Sequence, residues 1–149
     1  MKNIKYLFLF LVLAPLSAFA ATTISLTPSS GEFKEGQTFA VNIVVNPQGG
    51  SIYTVKTQFV FPANLLEVQS FTLAGNWMPL TQTGYDLVDN TAGTLIKTAG
   101  YPDGVSAQKM FGTVVFRVKA KGSAVVKLGA GSLALDENNA NTINNFSLQ

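Results

Sequence analysis

The sequence predicts an all-β domain, folded as a single antiparallel sandwich. Several short segments alternate apolar and polar side chains with a period of two, which is typical of a strand with one buried face. Glycine and proline separate these segments, as the turns of antiparallel sheets require. No long window carries an apolar stripe with the helical period of 3.6 residues. Eight or nine strands of this kind favour two sheets packed face to face.

The first half of the mature chain supplies four predicted strands, at residues 22–27, 38–46, 52–61 and 65–73. In the third of these strands, Val55 and Phe59 belong to the inward set. Because side chains alternate along a strand, three polar residues then point outward, namely Thr54, Lys56 and Gln58. The sequence Pro62-Ala63-Asn64 ends this strand.

The second half of the chain predicts two hairpins. Residues 85–90 and 93–100 are joined by a short loop with a glycine, which favours a hairpin, and YPDG at 101–104 indicates a turn. The segment 112–120 alternates strictly, and we expect it to pair with 124–129 across Lys121-Gly122-Ser123. Segments 132–139 and 142–149 complete the chain.

Residues 1–20 have the features of a secretory signal peptide. Lys2 and Lys5 precede an apolar run over 6–13, and Ala18-Phe19-Ala20 offers a small-x-small cleavage pattern. The alternative is a membrane anchor, but the apolar run is well short of the ~20 residues that span a bilayer. We therefore expect cleavage after Ala20, a single domain over 21–149, and a secreted, extracellular or cell-surface location without membrane insertion of the mature chain.

Composition excludes several function classes. Removal of Lys2 and Lys5 with the signal peptide leaves eight basic and eight acidic residues, so the mature charge is no argument for a nucleic-acid partner. The chain has no cysteine and no histidine. Disulfides, thiol chemistry and serine–histidine catalysis are therefore excluded. The carboxylates are scattered singly outside one turn, so we do not expect a glycosidase pair.

Three stretches in this order resemble the cohesin family, especially the stand-alone cohesin-like domains of exported bacterial surface proteins. They are SLTPSSGEFKEGQTFAVNIVVN, FVFPANLLEV and GTVVFRVKAKGSAVVKLGAGSLALDENN, and the resemblance covers nearly all of 22–143. It implies a nine-stranded jelly-roll sandwich without catalytic activity. It also implies docking through a flat sheet face, either of a dockerin that links carbohydrate-active enzymes to a scaffold or of another partner or glycan.

The family's binding strand corresponds to 52–61. Dockerin-binding cohesins often carry Asn and Asp at two positions where this chain carries Thr54 and Lys56. The resemblance and the alternation together predict a partner-binding surface on this strand and its neighbours, consisting of Thr54, Lys56, Gln58, Lys97, Arg117 and Lys119.

Two other functions stay open at this point. A carbohydrate-binding module would stack aromatic rings on sugar, with Trp77, Tyr85 and Tyr101 as the candidates, although Trp77 is also interpreted as a residue folded back over the sheet edge. A structural subunit of a surface layer or fibre would associate through exposed edge strands. The sequence does not set the oligomeric state.

The turn LDENNAN at 135–141 concentrates oxygen ligands and is a weak candidate for Ca²⁺, through Asp136, Glu137 and Asn139. Its spacing is not that of an EF-hand, and it lacks the central glycine of such a loop. A solvated turn is the favoured interpretation, because Asp and Asn favour turn positions in any case. We expect no other cofactor.

Overall fold

The computed structural model describes residues 21–143, so the predicted signal peptide at 1–20 and residues 144–149 lie outside the described part. Residues 21–143 form ten strands and no helix. The strands are β1 (Thr23–Thr27), β2 (Thr38–Asn46), β3 (Ile52–Val60), β4 (Leu66–Leu73), β5 (Met78–Leu80), β6 (Leu87–Asp89), β7 (Thr94–Val105), β8 (Lys109–Val118), β9 (Lys127–Leu128) and β10 (Leu133–Leu135). Within this range there is accordingly no helix long and apolar enough to cross a membrane.

Two antiparallel sheets make up the domain. One has four strands in the order β1-β2-β8-β4. The other has six, with the path β10-β3-β7-β5, while β6 also pairs with β7 and β9 with β3. The predicted all-β sandwich is confirmed. The strand count is ten rather than about nine, because the three-residue strand β5 lies in a stretch for which no strand was predicted.

The core lies between the sheets and follows the alternation. In β8, Val114 and Phe116 are almost fully buried, whereas Arg117 is exposed. Phe116 packs against Phe39 of β2 at a ring-centroid distance of 5.7 Å and against Phe61, just after β3, at 5.5 Å. These rings join the two sheets, since β2 and β8 belong to one and β3 to the other.

One predicted hairpin is wrong. β8 pairs with β2 and β4, whereas β9, within the segment 124–129, pairs with β3 in the opposite sheet. The chain after β8 therefore crosses from one sheet to the other. Alternation identifies a strand but does not select its neighbour, and β8 already has a partner on each side.

The other predicted hairpin is confirmed, because β6 pairs with β7 in register Leu87↔Ile96. Asp89 closes its turn by accepting backbone N–H bonds from Thr91 and Ala92 at 2.9 and 2.8 Å. The turn expected at YPDG is wrong, since β7 continues to Val105. Residues 101–104 instead form a bulge, in which four residues of β7 lie opposite the single residue Tyr53 of β3.

Candidate docking face

The candidate site is the outward side of the six-stranded sheet, called the outer face below. Residues opposite each other in antiparallel strands share a face. The register pairs Thr54 with Gly100, Lys56 with Thr98 and Gln58 with Ile96 across β3 and β7. Their neighbours Val55 and Phe59 are buried against the other sheet. Thr54, Lys56 and Gln58 therefore lie on the outer face, as predicted.

Apolar side chains flank these central strands on both sides. On one side, β5 and β6 add Met78, Leu80 and Leu87 in register with outward positions of β7. On the other side, β10 adds Leu133 and Leu135, opposite Lys56 and Thr54. Met78 is 59% exposed and Leu87 42% exposed. Exposed aliphatic side chains collected on one sheet face are typical of a surface that a partner covers.

The outward side of the four-stranded sheet has a different character. Its strands present many serine, threonine, asparagine and charged side chains, together with Met110, which is 44% exposed, Val44 and Val115. Thr113 donates a hydrogen bond to Asn42 Oδ1 at 2.8 Å, and Arg117 lies 3.6 Å from Glu67. Its polar groups thus bond to one another. More of the strongly exposed apolar side chains lie on the outer face, with Met78, Val60 and Leu87, than on the outward side of the four-stranded sheet, with Met110.

The predicted partner-binding set does not form one surface. Arg117 is in β8, in the four-stranded sheet, and Lys119 follows it. Lys119 Nζ donates to the carbonyl oxygen of Ala63 at 2.7 Å. Arg117 is therefore on the opposite sheet from Lys56, and Lys119 lies beside the turn at Ala63, past the end of β8. Their placement was wrong because it assumed that β3 and β8 share a sheet.

Lys97 was also assigned to the wrong face. It lies opposite Thr57, which is fully buried, and so it points toward the inside of the sandwich. Its Nζ forms an ion pair with Asp86 at 2.5 Å and lies 5.3 Å from the centroid of the Phe71 ring of β4. A lysine can occupy an inward position near a sheet edge because its stem packs while its charge finds a partner.

Gln58 is on the outer face but is partly covered. The backbone N–H of Gln58 donates to Ser132 Oγ at 3.0 Å, and the backbone N–H of Gly129 donates to the Gln58 carbonyl oxygen at 2.6 Å. A Cβ added at Gly131 would clash with Gln58 Oε1 at 1.9 Å, so the backbone of Gly131 lies directly against this side chain. The segment before β10 therefore lies over Gln58, and Thr54 and Lys56 are the more accessible residues of the predicted strand.

The three aromatic candidates do not form a platform. Trp77 is 6% exposed, and its Nε1–H donates to the carbonyl oxygen of Met110 at 2.9 Å. Its ring meets Tyr101 and Phe111 edge to face at 5.1 and 5.0 Å. A buried ring cannot stack on a sugar, so the structure removes Trp77 from the glycan-stacking set and matches the sheet-edge interpretation. Tyr85 is 44% exposed and lies elsewhere, beside Lys56.

Two side chains of the turn at 135–141 accept hydrogen bonds from nearby backbone N–H groups. Asp136 Oδ1 accepts backbone N–H bonds from Asn138 and Ala140 at 2.8 and 2.9 Å. Asn141 Oδ1 accepts from the backbone N–H groups of Ala134 and Ile143. Within residues 21–143, no group of three or more acidic side chains is placed to hold a metal ion. These backbone contacts are typical of a surface turn, the interpretation favoured over a Ca²⁺ site.

The sequence analysis did not predict the apolar side chains that flank the outer face. The alternation of Leu133 and Leu135 in SLALD, and of Met78 and Leu80 in WMPL, was a visible signal for them. That signal was ambiguous, because an alternating apolar residue at an edge strand faces either the core or the solvent. Only the pairing of β5 and β10 with the central strands resolves it.

Comparison with known proteins supports the fold strongly. No family model and no curated protein sequence matches the chain. Among solved structures, a cohesin module of a Clostridium perfringens family 33 glycoside hydrolase superposes with a TM-score of 0.68 at 12% identity, covering 87% of this chain and 92% of that one. A non-cellulosomal cohesin of the archaeon Archaeoglobus fulgidus gives 0.59 at 17% identity, with 83% of each chain covered.

A further match is a type I cohesin–dockerin complex from Clostridium thermocellum. Its TM-score is 0.61 at 11% identity, and the superposition covers 83% of this chain and 92% of that one. The matches come from bacteria and an archaeon, and each covers most of both chains. Residues 21–143 thus have the fold of cohesin domains, a two-sheet sandwich.

Proposed function

We propose that this domain is a non-catalytic binding module that docks a dockerin-like protein partner through the outer face. The observation that carries the proposal is the set of apolar side chains flanking Lys56 on one sheet face, which exposes more large apolar side chains than the opposite face does. Apolar side chains around a few polar groups are typical of the buried centre of a protein interface. Cohesins of the same fold were solved in complex with dockerins, which supports this class of partner.

The charges of the outer face favour a partner with acidic groups at its contact surface. Lys56 lies at the centre of this face, and Lys127 is opposite Val60 at one end. Asp89 is the carboxylate on the outward side of β6, and it bonds to the backbone of its own turn. A carboxylate brought by the partner would therefore meet a cation rather than another anion.

A polysaccharide partner is less well supported than a protein. Sugar recognition of the stacking kind needs exposed aromatic rings. With Trp77 buried, Tyr85 is the ring of the three candidates that contacts a residue of the outer face, and the flanks are aliphatic. A role in polysaccharide breakdown would therefore be indirect, through attachment to a carbohydrate-active partner or to the surface of the cell that exports it.

Absence of catalysis is part of the proposal. Asp86 and Asp89, the nearest pair of carboxylates around the outer face, are both engaged, one with Lys97 and one with backbone N–H groups. A glycosidase needs two carboxyl groups facing one another across the sugar, with one of them available as a proton donor. No activity on a sugar polymer is expected.

The experiment is affinity capture from the culture of the source organism with residues 21–149, followed by calorimetry with the purified captured protein. In the double variant Met78→Asp and Leu87→Asp, we expect affinity to fall by about a hundredfold or more, because two carboxylates would enter an apolar contact. The matched control is Ser70→Asp with Thr72→Asp, two exposed residues of β4 on the outward side of the four-stranded sheet, and it should bind like the wild type.

Three outcomes would contradict the proposal. The face variant could bind the partner as tightly as the control. Alternatively, the captured ligand could be a glycan, which would make the domain a carbohydrate-binding module. Capture of the domain by itself, with assembly that grows with concentration in light scattering, would instead support a structural subunit.

A further inference from the structure

The edge of the six-stranded sheet is interrupted by a loop. β5 and β6 pair with the same side of β7, and Leu80 lies opposite Thr98 while Leu87 lies opposite Ile96. A continuous strand would need one residue between these two positions, opposite Lys97. The chain instead has six residues, 81–86. This segment, called the Tyr85 loop below, must therefore leave the plane of the edge.

Tyr85 returns over the outer face. The Nζ of Lys56 lies 5.4 Å from the centroid of the Tyr85 ring. Lys56 is on β3, and the Tyr85 loop begins beyond β7, so this contact spans the width of β7. The bond from the Tyr85 N–H to the Gln82 carbonyl oxygen, at 3.0 Å, closes a turn that presents the ring.

Thr98, the residue of β7 opposite Lys56, is buried although it faces outward. Thr98 lies between Lys56 and Leu80 in the register, yet it is 5% exposed. Its Oγ1 has no hydrogen-bond partner among residues 21–143. A hydroxyl on an open sheet face would bond to water. An unpartnered, covered hydroxyl is unfavourable, so the side chains around Thr98 close the centre of this face without bonding to the hydroxyl.

An ion pair holds the loop from the inner side. Asp86 is adjacent to Tyr85, and it pairs at 2.5 Å with Lys97, whose side chain enters the sandwich beside Phe71. The side chains are only 15% and 31% exposed, so this pair is more sheltered than a typical surface pair. The Tyr85 loop is thus fixed at Asp86 on one side of the sheet and rests on Lys56 on the other.

We propose, on the basis of the function proposed above, that the Tyr85 loop is a lid on the docking face. In the closed state Tyr85 and Lys56 cover Thr98. The partner binds when the loop swings out, which frees Lys56 for a carboxylate and exposes the Thr98 hydroxyl as a hydrogen-bonding group. The apparent affinity is then the affinity of the open state multiplied by the fraction of molecules that are open. The Lys97–Asp86 pair sets that fraction.

The lid can be tested without any partner. The protein has no cysteine, so Thr98→Cys introduces a unique thiol whose rate of reaction with a small maleimide reports its exposure. We expect slow labelling in this variant and a rate about tenfold or more higher when Tyr85→Ala is added. Adding Asp86→Asn to Thr98→Cys keeps the Tyr85 ring but removes the ion pair with Lys97. We expect it to raise the labelling rate by a smaller factor than Tyr85→Ala does.

Val60→Cys is the control, because Val60 is on the same strand as Lys56 but at the end of the outer face, where it is 43% exposed. It should react quickly and equally in all backgrounds, and matching circular dichroism spectra would show that the fold is kept. An equal rate for Thr98→Cys with and without Tyr85 would overturn the lid. An unchanged rate in Asp86→Asn would overturn the role of the ion pair.

Partner binding separates this inference from the proposed function. With the purified partner, Tyr85→Ala should bind more tightly and associate faster than the wild type. Weaker binding would identify Tyr85 as a contact residue and overturn the lid, while the docking function would stand. If Thr98→Cys labels slowly with Tyr85 and quickly without it, but no protein partner is captured, the loop covers the face as proposed. The docking function would then be contradicted.

Discussion

Replacing Trp77 with alanine should lower the free energy of unfolding by about 3–5 kcal/mol, which is typical for loss of a buried aromatic side chain. Trp77 precedes β5 and is 6% exposed. Its ring contacts Tyr101 of the six-stranded sheet and Phe111 of the four-stranded sheet. The substitution would open a cavity between the sheets and leave the Met110 carbonyl oxygen without its donor.

The measurement is urea unfolding followed by circular dichroism, because the variant lacks the single tryptophan that fluorescence would follow. Trp77→Phe is the matched control. It keeps a ring at the site and loses the indole N–H, so about 1–2 kcal/mol is expected. A loss below about 1 kcal/mol for the alanine variant would contradict the placement of Trp77 in the core, since exposed sites rarely cost more.

The second large effect is expected at Gly93, in the turn between β6 and β7. Its φ is +70°, and a Cβ added there would lie 2.0 Å from the carbonyl oxygen of Phe61. The Phe61 N–H also donates to the Gly93 carbonyl oxygen at 2.8 Å, so the two backbones are held together. Gly93→Ala should cost about 3–5 kcal/mol, because a backbone clash adds to the cost of the left-handed conformation.

Gly36→Ala separates the two contributions. Gly36 has a similar φ of +82°, and a Cβ added there would meet nothing within 4 Å. Its replacement should therefore cost only about 1–2 kcal/mol, the price of the backbone conformation. If thermal and urea unfolding gave equal losses for the two variants, the contact between Gly93 and Phe61 would contribute nothing.

The confirmed part of the prediction is local. β1, β2, β3 and β4 begin and end within one or two residues of the predicted segments. The inward residues of β8 were also identified correctly, because a period of two in a strand reports directly which side chains are buried. The hairpin of β6 and β7 was predictable for the same reason, since its turn chemistry and both strands lie within one short stretch of sequence.

Apart from the turn expected at YPDG, the main errors depend on partners distant in sequence. β8 and β9 were expected to pair because they are adjacent, and Arg117 was placed with Lys56 because both point outward from their strands. Lys97 was placed outward because lysine is charged, whereas the register of β7 with β3 puts it opposite the buried Thr57. The burial of Trp77 agrees with the interpretation of a residue folded back over the sheet edge, but its contacts with rings of both sheets depend on strands distant in sequence.

By itself, the sequence determined that this chain forms strands with one apolar side, lacks the residues of histidine and cysteine chemistry, and resembles the cohesin family. Only the tertiary structure decided which strands share a sheet, and hence that Lys56 lies among aliphatic side chains beneath Tyr85. The physical reason is that alternation is fixed by the geometry of one strand. A docking face is assembled from strands up to 81 residues apart in sequence, such as Thr54 and Leu135, whose pairing depends on the packing of the whole core.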